Sequence, residues 1–475
     1  MRRPHALELL LVSLVVLIAS VTAVWAAAAP RAPLSPLANV DVSQRVGNES
    51  EEAVAVNPTN PNNIVIFTNI AEGVSGMFLA VSFDGGKTWN RRIVGEGNDV
   101  FGDTCCDSSL SFDEHGNLFM TYLYNTENSI PVALSTDGGL TFHIVANIDS
   151  SGFSKSGSKS GRGAAGERRG LFRFVDQPTI TSGHGEVWVV FNAGGPLVTA
   201  GAPVTGLGQV GAFSAREVVP GTNNCTYGDI AIGPSGQVMQ VCTLTESGQG
   251  GGKLFVNLDR DGLGPATFGD RVFVADTHIG GFDFIPPQSG RSVDAEPGLA
   301  WDRTGGPHNG RVYLVYATEN KNESDDTDVM VRRSDNNGAT WSSAVRVNHD
   351  TGDKSQFLPK ISLDPTTGNL AVSWYDSRAD NGVGAGDTDG LVNTDAQYWA
   401  GFSTDGGATF SNRQVSVGTS NAADAHNGID YGDYSAISFL GGVAHPAWAD
   451  NSNSTGNNPD GTLHKFDIYT DSVPV

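Results

Sequence analysis

An eight-residue pattern recurs four times in this chain and narrows its possible folds more than any other feature. It reads Ser82-Phe83-Asp84-Gly85-Gly86-Lys87-Thr88-Trp89, and it returns at 135–142, at 334–341 with Asn336 in place of the Asp, and at 403–410. Each copy follows a short apolar stretch, such as Phe78-Leu79-Ala80-Val81, and precedes another, such as Arg92-Ile93-Val94. That order is strand, turn, strand. An Asp or Asn side chain accepts backbone N–H bonds within its own turn. Glycine takes positive φ without steric cost. The Thr and the aromatic residue begin the next strand, where branched and ring side chains pack well. The pattern is therefore a device for building hairpins, and its Asp residues are structural.

A second signature recurs more often. An alternating stretch, a turn with Gly or Asn and a very apolar stretch follow one another at Val54-Ala55-Val56, Leu110-Ser111-Phe112, Thr179-Ile180-Thr181, Ile230-Ala231-Ile232, Leu299-Ala300-Trp301, Ile361-Ser362-Leu363 and Ile437-Ser438-Phe439. These are seven units, spaced by roughly 50 to 75 residues, which is the period of a propeller blade. The expected fold is all-β, a β-propeller of seven four-stranded blades. The last unit lacks an outer strand. Val40-Asp41-Val42-Ser43 precedes the first inner strand and resembles Gln414-Val415-Ser416-Val417. The N-terminal strand is expected to complete the last blade and remove its open edge. Gly194 to Gly221 makes the third unit irregular.

In such a ring, residues just before each inner strand and just after each second strand share one face of the central channel. The first set is acidic: Glu51 and Glu52, Asp107, Asp176, Asp229, Asp294 and Glu296, and Asp433, with Gln356 the exception in the sixth unit. Crowded carboxyls raise one another's pKa, which suits general acid chemistry or cation binding; the alternative is that they cap turns. The second set is aromatic and polar: Tyr122 and Tyr124, Asn192, Tyr316 and Glu319, Trp374-Tyr375-Asp376 with Arg378, and Trp448 with Asp450. Aromatic faces beside carboxylates suit sugar rings, and packing between blades is the alternative.

The eight-residue pattern matches the Asp-box, also called the bacterial neuraminidase repeat, and the chain resembles the sialidase-like superfamily of Asp-box propellers over nearly all of its length. Sialidases of that family use a Tyr nucleophile polarised by a Glu, an Asp acid/base and three arginines that clamp a substrate carboxylate, a task to which the planar guanidinium fork is suited. Two departures matter. The N-terminal Phe/Tyr-Arg-Ile-Pro motif is absent; Arg92-Ile93-Val94 and Phe172-Arg173-Phe174 are misplaced or incomplete. The chain also has seven units where those sialidases have six blades. The resemblance implies the fold, without that mechanism. Two functions stand. One is a secreted, carbohydrate-directed glycoside hydrolase working through Asp107, Asp176, Glu296 and Asp433, with Tyr375, Asp376, Arg378, Tyr124 and Trp448 contacting substrate. The other is a non-catalytic glycan- or protein-binding propeller at the cell surface.

The ends, the charge and the cysteines bound the rest. Met1-Arg2-Arg3, the apolar run from Leu9 to Val24 and the small residues to Ala29 read as a signal peptide over 1–29, leaving one propeller domain over 30–475; a retained anchor is the alternative. A net charge of −23 excludes a nucleic-acid partner that needs a basic face. Ser150 to Gly170 is a basic, Gly- and Ser-rich loop. No motif requires a cofactor. Asp387-Thr388-Asp389-Gly390 with Asp395, and Asp325-Asp326-Thr327-Asp328, are oxygen-rich loops of the kind calcium takes, or solvated turns. Among four cysteines, a Cys225–Cys242 disulfide is geometrically natural across one hairpin. Adjacent Cys105 and Cys106 form a strained bridge, remain thiols, or pair with the other two.

Overall fold

A computed structural model describes residue 1 and residues 39–70, 74–126, 128–150, 175–384, 387–425 and 429–475. Apart from Met1, the expected signal peptide over 1–29 lies outside the described residues, as does the basic loop beyond Ser150. Seven antiparallel sheets follow one another along the chain, each with its first strand innermost. The innermost strands are Glu49–Val56, Thr104–Phe112, Asp176–Gly183, Cys225–Ile232, Gly298–Trp301, Gln356–Leu363 and Ala436–Leu440. Among the described residues the one helical element is the turn Ala422–Ala425. The seven-bladed propeller read from the repeats is the architecture observed.

The blades are held by burial between them. The second strands, such as Ile64–Ile70 and Leu118–Tyr124, are buried along their whole length, because both faces of a radial sheet are covered by neighbours. One apolar cluster joins Val65, Phe67 and Leu79 of the first blade to Leu118, Met120 and Ala133 of the second. Equivalent clusters join every following pair, and the cluster of blades six and seven also takes in Val54, Ile64 and Ile66 of blade one. The closing interface is thus of the same kind as the rest.

An inner strand has one free edge, and buried backbone N–H groups need partners. Side chains of the neighbouring blade supply them. Ser109 and Ser111 accept from Ile180 N at 3.1 Å and Ser182 N at 3.0 Å. Asp229 accepts from Leu299 N at 2.7 Å, and Ser362 and Ser438 accept from Phe439 N and Val56 N at 3.1 and 3.2 Å. This explains the Ser residues on alternating inner strands. It also makes Asp229 part of the channel wall.

The Asp-boxes connect the third and fourth strands of blades one, two, five and six. Asp84 Oδ1 accepts from Lys87 N and Thr88 N at 3.1 and 2.9 Å, and Oδ2 accepts from Thr88 Oγ1 at 2.6 Å. Ser82 Oγ accepts from Gly86 N at 2.9 Å. Trp89 folds under the turn and donates to Gly86 O at 3.0 Å. Asp137 and Asp405 repeat these bonds. Asn336 accepts from Thr340 N at 2.9 Å and donates to Thr340 Oγ1 at 2.8 Å, so the turn needs the acceptor and not the charge. The boxes also dock on the preceding blade: Asn63 donates to Gly138 O at 3.0 Å, and a Cβ on Gly138 would lie 2.6 Å from Asn63.

The N-terminal strand closes the ring. Val40 and Asp41 pair antiparallel with Thr470 and Tyr469 on the outer edge of blade seven. The seam carries three buried carboxyls, Asp41, Glu49 and Asp467. Asp467 Oδ1 accepts from Ser43 Oγ at 3.1 Å, and Arg45 pairs with Glu49. One oxygen on each of Asp41, Glu49 and Asp467 has no hydrogen-bond partner among the described residues. Burial, opposed by Arg45, pushes Glu49 up to about 8. Burial, with the charges of Asp41 and Glu49, raises Asp467.

Two outcomes are expected. Removing Val40–Ser43 should expose the blade-seven edge and produce aggregation or a lower melting temperature; an unchanged melting temperature would mean the ring closes without this strand. The seam should also favour acid. Unfolded carboxyls lose their protons near pH 4, whereas Glu49 and Asp467 hold theirs when folded. Stability is therefore fully present below pH 4 and falls as pH rises toward 8, by about 1.4 kcal/mol per pH unit for each proton taken up on folding. Asp467→Asn should raise the melting temperature at pH 8 and leave it nearly unchanged at pH 4.5. Equal effects at both values would count against the buried seam.

Candidate active site

The candidate site is built from the entrances of the inner strands. Pairing to the second strand slips between Ser50 and Ala53, Cys106 and Ser109, Asp176 and Thr179, Cys225 and Gly228, and Phe357 and Lys360. Such bulges bend the strand and re-aim side chains. Glu51, Asp107, Gln177 and Leu358 sit in these bulges with φ of 60°, 58°, 48° and 49°, and Glu296 precedes its strand with φ 43°. Left-handed backbone at non-Gly residues costs energy and gathers at functional sites. Here it repeats blade after blade and turns carboxyls toward one mouth of the channel.

A β-hairpin inserted between blades four and five, Asp283–Ile285 with Gln288–Val293, adds the central cation. It docks on the loop that leads into blade seven: Gln288 Nε2 donates to Gly432 O at 2.9 Å, and Gly290 N and Arg291 N donate to Asp430 at 2.6 and 3.0 Å. Arg291 then grips Asp433 with both arms of its guanidinium, Nε to Oδ1 at 2.6 Å and Nη2 to Oδ2. Asp433 N donates to Glu51 Oε1 at 3.0 Å. Gly432 has φ 91°, and a Cβ there would lie 2.3 Å from Glu51 Cγ, so glycine permits this approach. On the other side Asp107 Oδ2 accepts from Gln177 N at 2.9 Å.

The electrostatics follow from crowding. Burial first, then the charge of Asp433, raises Glu51 well above the usual carboxylate range, with Arg291 opposing. Burial, the charge of Asp107 and a hydrogen bond shared with Asp107 do the same to Asp176. Burial pushes Asp294 up to about 7. Glu296 is raised well above its usual range by burial and by Asp294, with Lys360 opposing. Water reaches Asp176 at the mouth, yet the recess surrounds it with protein. Glu296 is 2% exposed, and its Oε2 has no hydrogen-bond partner among the described residues.

The predicted carboxyls Asp107, Asp176, Glu296 and Asp433 are thus brought together. The predicted aromatic contacts are placed elsewhere. Tyr375 is buried, with its ring 5.4 Å from Phe357 and its hydroxyl accepting from Ala449 N at 2.8 Å. Trp448 is buried, stacks on Tyr398 at 5.2 Å and donates to Asp450 at 2.9 Å. Tyr124 packs edge-on against Tyr122 and donates to Asn147 at 3.1 Å. Asp376 is fully buried. It accepts Trp374 Nε1 at 2.6 Å and both arms of Arg378 at 2.9 and 2.6 Å, while Arg378 stacks 3.9 Å from the Trp399 ring centre. Tyr375, Asp376, Arg378 and Trp448 brace blades six and seven, and Tyr124 packs within blade two.

Asp387 and Asp395 approach each other as expected, but the third carboxyl is Asp380, not Asp389. Oxygens of Asp380, Asp387 and Asp395 lie within 4.8 Å of one another and could hold a cation. Asp389 instead accepts from Leu391 N and Asn421 Nδ2 at 2.8 and 3.0 Å. In the other acidic loop Asp328 pairs with Arg346 at 2.7 Å. The expected Cys225–Cys242 disulfide forms, with Cα atoms 5.6 Å apart, and of the alternatives left open for Cys105 and Cys106 the structure has the bridge between them, directly before Asp107.

Below the mouth runs a channel cavity of about 320 Å³ lined by residues including Glu52, Ser108, Gln177, Asp229, Lys360 and Ser435. Arg291, Asp430 and Lys360 were not anticipated from sequence. The Pro286-Pro287 turn between two alternating stretches marks the hairpin that carries Arg291. A shared Pro after the entrance residue, at Gln177-Pro178, Glu296-Pro297 and Leu358-Pro359, marks the bulges and would have placed Lys360.

Comparison with known proteins adds the repeat and little more. The family described as BNR/Asp-box repeat matches residues 80–91. No curated protein matches the chain. Among solved structures, a Dyadobacter fermentans protein of unknown function is similar at 11% identity over 92% of this chain and 98% of that one, with a TM-score of 0.48. An α-L-arabinanase of Penicillium chrysogenum shares 14% identity over 71% of this chain and 93% of its own, at 0.42. The endosialidase of phage phi92 shares 10% over 93% and 69%, at 0.47. At such identities and scores these likenesses carry no argument about activity. The fold rests on the strand pairing itself and on four hydrogen-bonded repeats: the chain is a seven-bladed β-propeller carrying Asp-boxes.

Proposed function

We propose that this propeller is directed at carbohydrate and cleaves glycosidic bonds at the carboxyl-lined mouth of its channel. One observation carries the reading. Carboxyls from blades one, two, three, five and seven converge on one recess, where burial raises Glu51 and Glu296, and Asp107 beside it raises the solvent-reached Asp176, above the usual carboxylate range. Glycoside hydrolysis needs such a pair of environments, a carboxyl that still holds its proton and a carboxylate fixed nearby. Asp176, sharing its hydrogen bond with Asp107, is the proton donor in this reading, and Glu296 holds the substrate beside it. Asp433, fixed by Arg291, is the carboxylate that meets positive charge developing on the sugar. Two disulfides suit an oxidising compartment, which supports an exported protein.

The test is turnover. Neutral, amine-bearing and carboxylated oligosaccharides should be incubated with the protein across pH 4 to 9. Asp176→Asn should lower kcat by about 100-fold or more and Glu296→Gln should weaken substrate binding, each without unfolding the ring, as circular dichroism would report. Parent-like kinetics in both variants would remove these residues from the site. Binding without turnover by the parent would mark a glycan-binding propeller instead.

A second measurement addresses the brace. Asp433→Asn keeps the shape but loses the ion pair with Arg291, whose side chains are 33% and 26% exposed. Denaturant unfolding should show a loss of about 1–2 kcal/mol. No loss would mean that the hairpin is held by Gln288 and Asp430 alone.

A further inference from the structure

We propose that the channel mouth selects saccharides bearing free amino groups, so that its ligand is cationic. The inference rests on the carbohydrate reading and concerns which sugars it covers. Six carboxyls, Glu51, Asp107, Asp176, Asp294, Glu296 and Asp433, act on one another at the mouth, and the described cations among them are Arg291 and Lys360. Arg291 is already gripped at both arms by Asp433 and has no fork to offer a sugar carboxylate. Glu296 points the other way. It is buried, its Oε2 has no hydrogen-bond partner among the described residues, and its electrostatic neighbours are Asp294, Lys360, Asp433 and Glu51. A buried carboxyl oxygen without a donor is costly, and a ligand ammonium with three N–H donors would satisfy it.

The spacing favours an ammonium over a bare metal ion. Calcium oxygens lie about 2.3–2.6 Å from the ion, so its ligands crowd within about 5 Å of one another. Among the described residues, the carboxyl oxygens that meet such a limit are those of Asp380, Asp387 and Asp395, away from the mouth. No three of the mouth carboxyls meet it among the described residues. The net charge of −23 acts in the same direction, attracting cationic glycans and repelling carboxylated ones.

Isothermal titration calorimetry can test this with the whole chain. The probes are chitosan oligosaccharides, their fully N-acetylated counterparts, sialyl and uronate oligosaccharides, and a simple alkyl diamine. Chitosan oligomers should bind at least about tenfold more tightly than the acetylated ones, as expected for a charge-assisted hydrogen bond. Their affinity should fall with added salt and in Glu296→Gln. Binding at pH 7 should also release protons, read from the dependence of heat on buffer, because a cation drives the raised carboxyls to ionise. Equal affinity for free and acetylated amines, or preference for carboxylated sugars, would overturn the inference while leaving the carbohydrate reading in place. If the diamine bound as well as chitosan and no neutral sugar bound or turned over, the carbohydrate reading would fail and the cation site would stand. Binding of none of the probes would overturn both.

Discussion

The free edge of the innermost strand governs this molecule. A blade pairs its second and third strands on both sides, but its first strand faces the axis with unpaired N–H groups. Hydrogen bonds to them cannot come from another strand without filling the channel. They come from short side chains of the neighbouring blade, Ser109, Ser111, Asp229, Ser362 and Ser438. That arrangement leaves the axis open, so a channel exists. It also binds each inner strand to its neighbour in fixed register, so the entrances of the strands meet at one height. The recess of carboxyls is a consequence of this register.

The fold was legible because its signals are local and repeated. An Asp-box turn is specified within eight residues, and the apolar second strands stand out without knowledge of their neighbours. Even the ring closure could be read, since Val40 to Ser43 looks like an outer strand lacking its sheet. The site was legible in part. That acids precede the inner strands is a matter of position in the repeat, and so the gathering of Asp107, Asp176, Glu296 and Asp433 could be read. Side-chain direction was not legible. The segments Trp374-Tyr375-Asp376 and Trp448-Ala449-Asp450 follow their second strands as expected, but each Trp turns back to donate to the Asp two residues on. That local bond points the rings into the blade interface. Arg291 was missed for a different reason: it reaches the mouth on an inserted hairpin, outside the repeat that made every other position predictable.

Buried carboxyls occur in two places, and their partners distinguish them. At the closing seam Asp41, Glu49 and Asp467 lie at zero or one percent exposure, tied to Ser43, Arg45 and the outer strand. Protons satisfy them at least as well as any ligand. At the mouth the same chemistry lies beside the channel cavity, which Glu52, Gln177 and Lys360 line, and Asp176 is exposed to solvent. Burial raises the pKa in both cases, so a raised pKa does not by itself identify a working site. Access does. This is why the mouth, and not the seam, carries the functional reading.

The mouth is also unequal around the ring, and a reaction requires that. Seven identical entrances would present a symmetric field, in which no proton donor differs from any stabilising carboxylate. Side-chain identity breaks the symmetry at equivalent backbone positions. Leu358 takes the left-handed place in blade six and buries itself in the apolar cluster, while Gln177 takes it in blade three and spends its N–H on Asp107. Acids remain on blades one, two and five, and Arg291 fixes the charge of Asp433 on one side only. The result is a polarised recess: a salt-bridged carboxylate near blades seven and one, a proton-sharing pair at blades two and three, and at blade five a buried acid with one oxygen lacking a hydrogen-bond partner among the described residues. Such differences among like groups are what assign separate roles to acids of one kind.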